Sequence, residues 1–142
     1  MTYFDSCYLA KLYLMEPDSP RVRAWAEGAD GLACCAIGRG EVLATFHRHF
    51  RERRLTLREF RLLAAQVEAD LDGGVWTALP VTSALIESQA RRITALPATV
   101  FLRAADALHL TCAAEAGVRE VYSSDRRLVT AAPHFGLRAV TL

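Results

Sequence analysis

The chain has 142 residues, 52% of them apolar, and a formal net charge of +1. That length suits one domain with a real core, residues 1–142, and the composition argues against disorder. No apolar run is long enough to span a bilayer. The N-terminus reaches Asp5 with no basic stretch before it, so it does not read as a signal peptide and the expected location is cytoplasmic.

In chain order, Tyr3-Phe4 begins a short strand that ends at Asp5. Ser6 to Met15 reads as a helix, with Leu9, Leu12 and Tyr13 on one side, broken by Glu16-Pro17-Asp18. Ser19-Pro20 opens a second helix, with proline at the first helical position, and Gly28 closes it. Gly31 to Ala36 reads as a strand, and Glu41 to Arg53 as a helix. Thr56-Leu57-Arg58-Glu59 is a capping box that opens a helix to about Leu71. After the Asp72-Gly73-Gly74 turn, Val75 to Val81 reads as a strand and Ser83 to Leu96 as a helix. Phe101 to Ala116 follows as a helix closed by Gly117. Val121 to Ser123 is a strand, Arg126 to Ala132 a short helix, and Arg138 to Leu142 a last strand. Strands separated by helices predict an α/β/α sandwich around a mostly parallel sheet.

Several function classes are excluded by residue usage. Among 17 lysines and arginines only Lys11 is a lysine. No glycine-rich loop ends in Gly-Lys-Ser/Thr, so the chain is not a P-loop NTPase. Cys7, Cys34, Cys35 and Cys112 form no C-x-x-C pair, which leaves zinc ribbons and redox motifs unsupported. They read instead as small apolar core residues.

Four acids stand out. Asp5 follows the first strand and Asp125 follows the strand at Val121, the positions that meet at the carboxyl edge of a parallel sheet. Glu41 and Asp106 lie near the starts of largely apolar helices. Each has a local explanation. Asp5 and Asp125 are good N-caps, and an acid in a first turn suits the helix dipole. Asp106 is the hardest to explain locally, because a carboxylate on a helix apolar on most sides is costly to bury without a partner or a metal. Arg103, one turn back, is a candidate partner. Gly38 and Gly40 suggest a strained or closely approached backbone before Glu41. His109, three residues after Asp106, reads as a core histidine satisfied by a hydrogen bond. Four carboxylates in one crevice would repel one another, and a hard divalent cation, Mg²⁺ or Mn²⁺, resolves that repulsion. Arg48, Arg51, Arg53, Arg54, Arg58 and Arg61 form a basic cluster, suited to a phosphate backbone or to a solvated helix surface.

Taken together these segments resemble the PIN-domain family, and within it the VapC-type toxins of bacterial toxin–antitoxin pairs. Tyr3-Phe4-Asp5-Ser6 with Lys11-Leu12-Tyr13, the stretch from Glu41 to Arg48, Ala105-Asp106-Ala107-Leu108-His109-Leu110, and Ser123-Ser124-Asp125-Arg126-Arg127-Leu128 carry the likeness. The family usually has small hydroxyl and apolar residues before its glutamate, where this chain has Cys35 and Gly38-Arg39-Gly40. The resemblance implies a Mg²⁺- or Mn²⁺-dependent endoribonuclease. Asp5, Glu41, Asp106 and Asp125 would be its catalytic acids, with Asp5, Asp106 and Asp125 as metal ligands and Ser6 and Ser123 as supporting hydroxyls. It also implies an RNA substrate, a cognate antitoxin protein and a homodimer. The antitoxin would insert into or beside the acidic pocket, and the apolar faces of the first two helices, including Leu9, Leu12, Tyr13 and Trp25, serve as docking surface or as core. A housekeeping RNA-processing nuclease and a non-catalytic RNA-binding module are the alternatives. A receiver domain lacks its acidic pair and its lysine here. A haloacid-dehalogenase-type phosphatase lacks its second aspartate, because Cys7 stands in that place.

Overall fold

The computed structural model describes residues 1–142. Five strands, β1 (Thr2–Phe4), β2 (Leu32–Cys35), β3 (Trp76–Leu79), β4 (Glu120–Tyr122) and β5 (Arg138–Val140), form one sheet in the order β3-β2-β1-β4-β5. Every pairing is parallel. The helices are α1 (Ser6–Tyr13), α2 (Ser19–Glu27), α3 (Ile37–Arg51), α4 (Leu57–Asp72), α5 (Ser83–Thr94), α6 (Ala104–Glu115) and α7 (Arg126–Ala131). A 3-10 turn at Ala132–Phe135 follows α7. No helix is long and apolar enough to cross a membrane. The α/β/α sandwich expected from the sequence is the architecture present.

Side chains alternate across the strands and so feed two cores. Tyr3 and Cys35 join Ala107, Leu110 and Leu128 on one face. Phe4 and Cys34 join Tyr8, Phe46 and Trp76 on the other. All four residues of β2 are buried, as a strand covered on both faces requires. The Trp76 indole N–H donates to the Tyr13 hydroxyl at 3.1 Å, so this large buried ring leaves no unpaired donor.

Most helix starts follow their caps. Thr56 and Glu59 make the reciprocal capping box of α4, and the Thr82 hydroxyl caps α5. Two helices start away from the positions expected above. Helix α3 begins at Ile37, so Gly38 and Gly40 lie inside it. The reason at Gly38 is close approach, since a Cβ there would lie 2.4 Å from Cys34 Sγ. Packing against β2 overrides the helical cost of glycine. Gly40 meets nothing within 4 Å. Helix α6 begins only at Ala104, and Arg103 is an extended N-cap (φ −82°, ψ 156°). Phe101, expected inside that helix, is exposed on the approach to it.

The chain runs outward from β1 to β2 and β3, then returns to β4 on the other side of β1. The order therefore reverses between β1 and β4, and the crevice at their carboxyl ends is where α/β sheets bind ligands.

Candidate active site

Asp5 leaves β1 at this reversal and caps α1, its Oδ1 accepting from the Tyr8 amide at 3.1 Å. Its Oδ2 accepts from the Ser123 hydroxyl, at the end of β4. Ser123 Oγ in turn accepts from the Asp125 amide at 2.9 Å. One serine thus ties the two strand ends together. Asp5 is nearly fully buried, and burial raises its pKa above the ordinary value. Bonds from Cys7, Ser123 and the Tyr8 amide, and the nearby His109, oppose that rise without cancelling it.

Asp125 caps α7 through Oδ1, which accepts from the amides of Arg127 at 2.8 Å and Leu128 at 3.4 Å. Its Oδ2 faces the Arg103 guanidinium at 3.6 Å. Capping and convergence on the crevice are therefore compatible, because each aspartate gives the helix one oxygen.

Asp106 occupies the first turn of α6. Its Oδ2 is buried and has no hydrogen-bond partner. Arg103 Nε stands 3.6 Å away, within ion-pair range but beyond a hydrogen bond. Burial and the neighbouring charge of Asp125 push the Asp106 pKa up, and Arg103 only partly offsets them.

Glu41, on α3, accepts from His109 Nε2 at 2.7 Å. His109 is buried, and its Nδ1 lies 3.0 Å from the Tyr3 hydroxyl. That hydroxyl also accepts from the Cys35 amide at 3.0 Å. The chain of bonds runs from a β2 amide through Tyr3 and His109 to Glu41. Burial alone would raise Glu41, but the His109 bond and charge, helped by Ser6, hold it below its usual range. Burial alone would lower His109, but Glu41 raises it above 6.5. His109 is therefore the satisfied core histidine expected, and its partner, 68 residues away, is one of the four acids. Its place three residues after Asp106 was the only trace of this in the sequence. Tyr3 gave none.

Some expected groups lie elsewhere. Arg48 and Arg51, at the end of α3, lie two to three turns from Glu41 along the helix, roughly 10 to 15 Å at 1.5 Å per residue. His109 is committed to Glu41 and Tyr3. Leu9 is fully buried core, while Leu12, Tyr13 and Trp25 are half-buried against that core.

The donor set suits a hard divalent cation, since it offers carboxylate oxygens and one of them is an orphan. It is not a preassembled cage, because no three His, Cys, Asp or Glu side chains stand ready to hold an ion together.

The PIN domain family matches residues 2–132 of this sequence. PIN domains are generally nucleases that use divalent metals. The crystal structure of FitAcB from Neisseria gonorrhoeae shares the fold, with a TM-score of 0.75 at 16% sequence identity, over 98% of this chain and 96% of that one. Among curated proteins none matches this sequence closely enough to count as a relative.

Proposed function

The chain belongs to the PIN-domain family, and on that premise we propose that it is a metal-dependent endoribonuclease, the toxin of a toxin–antitoxin pair, acting in the cytoplasm as a single PIN domain. The observation that carries this reading is Asp106 Oδ2, buried and unpaired on the helix whose Arg103 also faces Asp125. Asp5, Asp106 and Asp125 would hold Mg²⁺ or Mn²⁺. When bound, such an ion lowers the pKa of a coordinated water and stabilises charge on the phosphate oxygens. The Ser123 hydroxyl holds Asp5 Oδ2 by a hydrogen bond. Glu41, kept ionised by His109 and Ser6, orients the attacking water and accepts its proton. The product is a cleaved RNA phosphodiester.

The partner surfaces fit the same reading. A groove of about 670 Å³ runs along Tyr13, Leu14, Met15, Pro17, Leu62 and Leu63 and would take an apolar antitoxin segment. Val81, Ile86 and Ile93, exposed on and beside α5, would be covered by a second copy in a homodimer.

The test is incubation of the purified protein with total RNA in Mg²⁺, then with EDTA. Cleavage should require the metal and fall by at least about 100-fold, the scale of losing a charge-stabilising group, in folded D5N and D106N variants. Undiminished cleavage by both would sink the assignment.

A further inference from the structure

Arg103 is the one cation placed between two of the four acids. Its Nε lies 3.6 Å from Asp106 Oδ2 and its Nη2 lies 3.6 Å from Asp125 Oδ2. Both contacts are ion pairs, and neither is short enough to be a hydrogen bond. A guanidinium that recognises carboxylate structurally forms the short bidentate fork instead. The side chain is 56% exposed, and it starts from an extended residue at the junction of loop and helix. Nothing else holds it. Its neighbour Arg127 is engaged, with its guanidinium stacked 4.6 Å above the exposed Phe101 ring.

The position is that of a charge neutraliser, close enough to lower the mutual repulsion of Asp106 and Asp125 but without satisfying the orphan oxygen. A divalent cation on those two carboxylates would do both. It would also repel the guanidinium from the place it now fills. The displaced arginine would remain at the rim of the crevice, next to wherever a bound phosphate must lie. Arginine is well suited to that second role, since its fork matches phosphate oxygens.

We infer that Arg103 is an internal counter-ion of the carboxylate crevice, which a divalent cation displaces and which then turns to the phosphate of the RNA substrate. This rests on the nuclease reading above. It makes Arg103 a competitor of the metal and an ally of the substrate, two effects of opposite sign. An arginine that only braced Asp106 would give one sign, because losing it would weaken both.

The experiment is a titration of purified protein with Mn²⁺ alone, without RNA, by calorimetry, on wild type, R103A, R103K, D5N and D106N. Thermal melting checks that each is folded. R103A should bind Mn²⁺ more tightly than wild type by up to about fivefold, the range expected for a partly exposed ion pair. R103K, which keeps the charge, should stay near wild type. With RNA, R103A should raise KM at saturating Mn²⁺, and R103K should recover part of the loss. Equal or weaker Mn²⁺ binding by R103A overturns the inference. If D5N and D106N lose Mn²⁺ while R103A gains nothing, only the role of Arg103 falls. If those two bind as wild type does, or if no variant binds at all, the metal site falls and Arg103 with it.

Discussion

The two sides of the acidic crevice are held in opposite ways. On the Glu41 side, the carboxylate is neutralised from within, by a buried histidine that a tyrosine and a strand amide fix in place. On the Asp106 side, one oxygen is bare and the only nearby cation is a half-exposed arginine at long range. A group that is already satisfied has little to gain from a ligand. A group left unpaired in a buried place costs the fold stability and favours whatever pairs it. On the proposed reading, that difference would put the demand for a metal on the Asp106–Asp125 side and would leave Glu41 to orient and accept, with its charge held by His109.

The sharpest way to break this contrast is at its rigid end. His109→Ala should destabilise the protein by about 3 kcal/mol, from the cavity and from the unpaired Glu41 and Tyr3 groups it leaves. Urea denaturation measures it, and a loss under about 1 kcal/mol would mean that Glu41 is not anchored through His109. Next comes the packing behind that pair. Gly38→Ala puts a methyl against Cys34 Sγ and should cost about 1–3 kcal/mol. The double variant C34A/G38A should regain much of this, because the clash is with the sulfur, and failure to regain it would place the strain elsewhere. The flexible side should respond weakly. Asp106→Asn removes an ill-satisfied charge and should change stability by no more than about 1 kcal/mol, in either direction. A melting curve that collapses in this variant would show that Asp106 is structural.

The smallest effect expected is a slope with pH. Glu41 raises the His109 pKa above 6.5 in the folded state, so this pair contributes its full stability below pH 6.5. That contribution is lost as pH rises through the raised value. Glu41 runs the other way, adding stability above its ordinary 4.5 that is lost as pH falls through its lowered value. The contribution of this pair to wild-type stability should therefore weaken as pH rises from about 6.5 through the raised His109 value. E41Q leaves burial as the main influence on His109 and should reverse that slope. Parallel slopes would separate the two residues energetically.

The sheet and the placement of the acids were legible because their signals are local. Asp5 and Asp125 each end a strand and cap the next helix, and a strand–acid–helix sequence is enough to locate such a residue at a sheet edge. The Thr56–Glu59 box marked its helix for the same reason. Contacts between distant elements were not legible. Gly38 reads as a strained or closely approached backbone before the helix of Glu41; the approach to Cys34 is there, but Gly38 lies inside α3, because that packing outweighs local propensity. Phe101 and Arg103 read as the start of α6 from their apolar setting, but the extended Arg103 delays the helix until Ala104. The Glu41–His109 pair depends on how α3 and α6 cross beside β1 and β2, and no spacing along the chain encodes that.

Helix α6 carries members of both sides of the crevice, Asp106 and His109, three residues apart on one face. Their separation is therefore set by the pitch of a single rigid element and cannot drift as a loop would. A residue inserted or deleted between them would swing one away from the other by about 100° of helical rotation. Substitutions at Ala107 and Leu108 change packing only, whereas a change in their number would uncouple the anchored acid from the unpaired one. The constraint on this segment is thus one of length, and it would persist even where the identities of the two intervening residues change.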